Sequence, residues 1–474
     1  MLDPALIRSL GLFLPLTAAW LLWLWRRPGP RLRAAVLLAC AWNVPALFAL
    51  HLLAQLQGWW RFEAVGGLIL GYPVDLYIGW ILLWGAVPVL ACGAQRPIQA
   101  ALLMLALDVL LLLVARPVIV LGDNWLLGEA VGFAACLVPG LLLAHWTAAD
   151  VQLAARATLQ FVGFTTISFW LVPTAVLAAT NGSWQLLVDR LATHGLFVLV
   201  PFALPALLGL SAFQEFVVRG RGTPVPYDPP RKLVTSGPYA YLANPMQLAA
   251  SLMLALLGVM LGSAWLVAVA FVAWCFSAGL AAWEEDGALR RRFSADWVAY
   301  RRAVRNWLPH WRPWHVSMVP TGDVSIDSGA VVSKPPTPHR PPARLYVAEG
   351  CDPCSDLGGW LAAHAPVGLV ILPAEDQPAR DLWRITYDPA DGSPEVAGMA
   401  AVSRALEHIH LGWAFVGWVI RLPMIGAFVQ LVADAVGGEA RRVPRSVGRG
   451  TGGVAESLGH ADRLLQSTRC EPRR

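Results

Sequence analysis

Long apolar runs alternate with short segments bearing arginine, glycine and proline over the first 283 residues of the chain. The runs at 5–25, 34–56, 65–92, 98–115, 126–146, 159–179, 194–213, 245–261 and 264–283 each approach the roughly twenty residues a helix needs to cross a bilayer. Only Gly262 and Ser263 separate the last two, which predicts a tight helical hairpin. The pattern predicts an α-helical polytopic membrane protein with about nine transmembrane helices.

The pattern changes after the hairpin. Residues 289, 293, 297, 300 and 304 are apolar at spacings of three and four, opposite Arg290, Arg291, Arg301 and Arg302. This predicts an amphipathic helix lying on the membrane surface. Residues 314–343 form a Pro-rich linker. Short strands at 344–347, 368–372 and 383–387 and a helix at 356–363 predict a small α/β domain over 344–440. The Gly- and Arg-rich tail 441–474 reads as disordered. The membrane part divides into an N-terminal multi-span region, 1–190, and a core, 191–313.

Composition sharpens the class: 57% hydrophobic and 14% charged residues exclude an ordinary soluble domain. The net charge of +5 is too small to point to nucleic acid, and none is expected as a partner. The arginines flank apolar runs, where the positive-inside rule uses them. Placing 26–33, Arg96, Arg156 and 219–232 in the cytoplasm makes the spans alternate consistently. The expected location is the cell membrane, with the N-terminus outside and the C-terminal domain cytoplasmic. The run 5–25 ends in Arg26-Arg27-Pro28 and reads as a first transmembrane helix, not a cleaved signal. Asp75, Asp108, Asp123 and Glu129 lie in or beside apolar runs. Each is a candidate functional carboxylate, with a satisfied structural group as the simpler reading.

Most of the readable chemistry lies in 219–309, where basic, turn-rich loops bracket the hairpin. Gly237-Pro238-Tyr239 predicts a rigid turn with an aromatic face. Asn244-Pro245 predicts a helix start whose free amides can receive a carboxylate, and Glu284-Glu285 end the hairpin with acceptors.

Thr223-Pro224, Leu233-Val234-Thr235-Ser236-Gly237-Pro238-Tyr239, Asn244-Pro245-Met246, Glu284-Glu285, Arg292-Phe293, Trp297 and Tyr300 together resemble the isoprenylcysteine carboxyl methyltransferase and phospholipid N-methyltransferase group of membrane enzymes. The resemblance covers about a quarter of the chain. It implies S-adenosylmethionine as cofactor and a membrane lipid or isoprenoid-like methyl acceptor. It also implies a cofactor pocket shaped by Leu233, Val234, Gly237, Pro238, Tyr239, Asn244, Pro245, Glu284 and Glu285, with Glu285 the nearest base for an amine acceptor. Methyl transfer from a sulfonium needs no metal. Two positions depart from the pattern: Ala243 stands where an arginine is usual and Gln247 where a tyrosine is usual. Arg231 or Lys232 is the candidate replacement cation.

Cys351 and Cys354, following a strand at a helix start, have the spacing of thiol–disulfide oxidoreductases. With Tyr346, Ala405-Leu406, Gly412-Trp413 and Leu422-Pro423, the domain resembles the thioredoxin-like family named for its Asp-Cys-Cys signature, although Val347-Ala348 replaces that family's Asp-Gly. Three readings of the pair stand: a redox dithiol serving a partner protein, half of a zinc site lacking its second pair, and an inert module. For the whole chain, a membrane thiol–disulfide or quinone redox protein and a non-catalytic membrane scaffold stand beside the methyltransferase.

Overall fold

Three long helices carry one local signature in the computed structural model of the chain: a widened π turn just ahead of a Val-Pro pair. Leu82–Ala86, Phe133–Leu137 and Ile167–Leu171 precede Pro88, Pro139 and Pro173. A proline inside a helix donates no hydrogen bond and its ring crowds the carbonyl four residues back. Widening the preceding turn is a way of absorbing both defects without ending the helix.

The described residues are 3–223, 230–315, 341–377 and 380–443. They divide into two units, one through His315 and one from residue 341 onward. Most of the linker and all of the tail beyond Val443 lie outside the described residues.

In the first unit, seven helices are long and apolar enough to cross a membrane: Pro4–Arg26, Pro30–Gln57, Val74–Cys92, Trp125–Ala149, Leu153–Ala179, Gln185–Gly220 and Ala264–Ala303. Two of the nine expected spans are shorter apolar helices, Pro97–Leu112 and Pro245–Met260. The second has 16 residues, or about 24 Å of rise, against a hydrocarbon core of about 30 Å. The expected run 65–92 starts its helix only at Val74. Positive φ at Gly66, Gly67, Leu70 and Gly71 turns the chain into a small hairpin, β2 (Leu68–Ile69) with β3 (Tyr72–Pro73). Nearby, β1 (Trp60–Phe62) pairs with β4 (Ile119–Leu121).

Lipid hydrocarbon is as apolar as leucine, so helices in a bilayer associate by close packing of small residues. Gly79 shows this: a Cβ there would stand 2.0 Å from the Gly11 carbonyl oxygen. Gly85 meets the Cys40 backbone in the same way. Large side chains such as Phe13, Trp20, Trp25 and Leu102 remain exposed on the outside.

Basic loops gather at one end of this unit. Asp150 accepts from Arg156 at 2.8 Å and from Arg31 at 3.2 Å, and it pairs with Arg231. Three distant segments are thereby tied to one carboxylate, and Arg231, a candidate replacement cation, is already engaged. Burial acts to raise the Asp150 pKa, but the Arg156 hydrogen bond and charge, with Arg231 and Arg31, outweigh it and hold it below 3.8. Asp75 is paired with Arg8 at 2.8 Å and bonded by the Leu76 amide, the structural role of a satisfied group.

In the second unit, the sheet order is β6-β5-β7-β8. Its central strand β5 (Ala343–Val347) runs parallel to β6 (Leu369–Pro373) and antiparallel to β7 (Thr386–Asp388), which pairs with β8 (Val396–Ala397). Helix Asp352–Ala363 makes the β5–β6 crossover, starting four residues before the expected 356. Leu345, Leu361, Ala401 and Ala405 form its solvent-free centre. Leu411–Ile420 and Met424–Gly438 are together apolar enough for an eighth crossing but meet at 92°, and Met424, Phe428 and Leu431 are exposed.

Two outcomes follow from these contacts. Gly79→Ala should destabilise the first unit by about 1–3 kcal/mol through overpacking, seen as a lower midpoint in thermal unfolding of the detergent-purified chain; an unchanged midpoint would contradict the Gly11–Gly79 contact. A carboxylate with a depressed folded pKa stabilises above its unfolded value and loses that contribution as pH falls through the folded one. Asp150→Asn should therefore lower the unfolding midpoint at pH 7, and the gap to the parent should close as pH drops below 3.8.

Candidate functional site

Val200–Gly220, the last part of the Gln185–Gly220 helix, is apolar except near its end, where Glu215 is fully buried. A buried charge needs compensation. Arg219, one turn on, approaches the Glu215 carboxylate at 3.6 Å, and the Ser236 hydroxyl donates to it at 2.5 Å. Gly237 follows at φ 58, and a Cβ there would press on the Glu215 carboxylate at 3.2 Å. Position 237 therefore needs glycine for its backbone and for its space. The Gly220 carbonyl accepts from the Arg231 and Lys232 amides, closing the loop onto the helix end.

The turn Gly237–Ala240 is a buried 3-10 segment. Tyr239 packs with Ala212 and Val234, while Leu233 goes to a different cluster with Trp297, Tyr300 and Val304. The second polar arm is fastened to the turn by backbone hydrogen bonds: His310 to the Tyr241 carbonyl, Trp314 to the Ala240 carbonyl, and Ala243 to the Arg305 carbonyl at 2.9 Å. The Tyr300 hydroxyl adds a bond to the Tyr239 carbonyl at 2.8 Å.

The apolar face predicted to lie on the membrane surface is occupied by protein. Trp297, Tyr300 and Val304 are buried against Leu233, Ala243 and Trp314. Ser294, at φ 45 and ψ −115, breaks Ala282–Ala303 into two pieces. Asp286 spans the break, accepting from Trp297 Nε1 at 2.8 Å and Arg290 Nε at 2.7 Å.

Glu285 is exposed, and its carboxyl lies near Tyr239, Tyr300 and Arg301. Glu284 is exposed and makes no polar contact among the described residues. Asn244 precedes Pro245–Met260, and its side chain makes no capping bond, leaving first-turn amides open. Tyr239 Oη, Gln247 Oε1 and Thr223 Oγ1 are buried without a hydrogen-bond partner among the described residues. The structure thus groups Gly237, Pro238, Tyr239, Asn244, Pro245 and Glu285 around the turn and sets Glu284 apart. Sequence reasoning missed Glu215, Arg219, Asp286 and Arg305. Of these, Glu215 had a signal, a lone carboxylate within an apolar run.

In the second unit, Cys351 is the N-cap of Asp352–Ala363, and Cys354 lies in its first turn. Their sulfurs are 2.9 Å apart. Burial, then the hydrogen bond and charge of Cys351, push the Cys354 thiol up to about 12. His408 is bonded to the Val367 carbonyl and the Tyr387 hydroxyl, and His410 caps the helix at Leu411. Neither completes a cluster of three metal-ligating groups among the described residues.

Neither a curated protein nor a solved structure matches the chain. Residues 197–296, about a fifth of the chain, match the model of the phospholipid methyltransferase family, so this segment is similar to a family of membrane methyltransferases.

Proposed function

We propose that the core of the first unit is an S-adenosylmethionine-dependent methyltransferase acting on a lipid or isoprenoid-like acceptor at the cytoplasmic face of the cell membrane. The C-terminal unit is then an accessory thiol-redox domain of thioredoxin-like type with its own partner protein. The carrying observation is that Tyr239 Oη, in the Gly237 turn, and Gln247 Oε1, in the first turn of Pro245–Met260, are each buried and unpartnered among the described residues, inside the segment similar to phospholipid methyltransferases. Unsatisfied buried polar atoms are costly and call for a ligand that completes them. A polar cofactor fits that requirement. The gathering of Arg31, Arg156 and Arg231 at one end supports a cytoplasmic placement of that end.

Gly237, Pro238, Tyr239, Asn244, Pro245 and Glu285 would hold the cofactor, with Leu233 and Val234 behind them. When bound, S-adenosylmethionine supplies a methyl group on a sulfonium, transferable by in-line displacement. The chain's own residues position and desolvate the reactants. Glu285 Oε would take the proton of an amine acceptor, whereas a carboxylate acceptor needs no base. The missing cation at Ala243 has a candidate in Arg305. Its carbonyl is bonded to the Ala243 amide, and its guanidinium makes no ion pair among the described residues. A membrane redox protein acting through Cys351 and Cys354, with a bound quinone, is the second reading; the 2.9 Å sulfur separation favours a disulfide-forming pair.

Calorimetry on the purified chain should show S-adenosylmethionine binding, weakened by roughly ten- to hundredfold in Glu285→Ala and in Arg305→Ala. No binding by the parent would overturn the methyltransferase reading, and unchanged binding in one variant would remove only that residue's role. Mild oxidation with diamide should form a Cys351–Cys354 disulfide, lost in Cys354→Ser, and Cys354 should resist alkylation at pH 8. Failure to form that disulfide would end the redox reading.

A further inference from the structure

A partly open pocket with about 40 Å³ of free space for water-sized molecules lies in the N-terminal helices. It sits at the opposite end of Pro30–Gln57 from the Asp150 cluster: His51 on its wall is twenty residues past Arg31, roughly 30 Å along the helix. The rings of Trp60, Phe62, Tyr72, Trp80 and Trp84 line it, together with Glu129. Among the described residues its wall holds no lysine or arginine.

Three observations point to a ligand. Glu129, on the wall, lies close enough to Asp108, which is 4% exposed, for the two carboxyls to interact, and neither has an ion pair among the described residues. These two acidic groups thus lie together in an apolar bundle with no cation paired to them among the described residues. His51, 2% exposed, faces the Leu70 carbonyl through Nε2 at 3.2 Å. A carbonyl only accepts, so Nε2 carries the hydrogen and Nδ1 is left as an acceptor. That Nδ1 has no partner among the described residues, and the Trp84 indole N–H has none either.

We propose that this pocket binds an organic ammonium cation, with its charge against the Glu129–Asp108 pair, its alkyl groups against the aromatic rings, and a hydroxyl or N–H donated to His51 Nδ1. Aromatic faces carry a negative quadrupole that attracts alkylammonium groups, most strongly where water is excluded. A carboxylate within an apolar bundle that lacks a protein cation completes the same preference. A neutral planar ring would use the stacked walls but would leave the carboxyl pair uncompensated. The site is separate from the Gly237 turn and does not depend on the methyltransferase reading.

The test uses choline and its neutral isostere 3,3-dimethyl-1-butanol, titrated by calorimetry and tryptophan fluorescence into the full chain in uncharged detergent. Choline should bind saturably and at least about tenfold more tightly than the isostere. Glu129→Gln and Trp80→Leu should each weaken choline by about tenfold or more, while size-exclusion profiles and thermal unfolding report that both variants remain folded. Dihexanoyl phosphatidylcholine, compared with the matching phosphatidylglycerol, distinguishes the source. Competition by the first alone assigns the site to a lipid headgroup; competition by neither, with choline still bound, assigns it to a free cation. Equal binding of choline and the isostere, absent binding of choline, or choline affinity unchanged in both folded variants would overturn the proposal.

Discussion

The buried carboxylate of Glu215 is the constraint on which the rest of the candidate site depends. It sits fully inside the protein near the end of an apolar helix, where a charge is stable only if partners surround it. Arg219 and Ser236 provide them, and in doing so they dock the loop that carries Gly237 against the helix. The carboxylate also fills the space a side chain at 237 would take. Charge compensation and the backbone conformation of the turn are therefore one requirement.

Everything else at the site hangs from that turn. Its carbonyls at Tyr239, Ala240 and Tyr241 accept from Tyr300, Trp314 and His310, so residues far along the chain wrap it and bring Glu285 close to Tyr239. The break at Ser294, bridged by Asp286, lets one helix leave the hairpin and then fold its aromatic face back onto the loop. Asp150 holds the same loop to the N-terminal helices through Arg231. The extra spans are thus mechanically joined to the site as well as enclosing a pocket of their own.

The chain combines two environments that normally exclude each other. The first unit seats glycines at its closest helix contacts and leaves large apolar side chains such as Phe13 and Trp20 exposed on its outside, as a bilayer allows. The second builds a water-type core around Leu345 and Leu361 and still exposes Met424, Phe428 and Leu431 on bent apolar helices. A surface of that kind is not an ordinary feature of a soluble domain.

Apolar period and run length by themselves determined that this is a helical membrane protein with a small α/β unit behind it, because burial in lipid leaves a signal in every residue of a span. Local turn chemistry likewise made Gly237-Pro238, Asn244-Pro245 and the Cys351–Cys354 helix start readable, since each depends on neighbours in sequence. Only the tertiary structure decided which charges are spent on each other. Arg231 looked available and is held by Asp150; Asp75 looked exceptional and is matched by Arg8; Asp108 and Glu129 stood as unrelated carboxylates until helix packing joined them. The face of 289–304 has the same periodicity whether it meets lipid or protein, and the packing of Leu233 and Trp314 against it settled that choice. Pairings between distant residues depend on register and helix rotation, which a one-dimensional pattern does not encode.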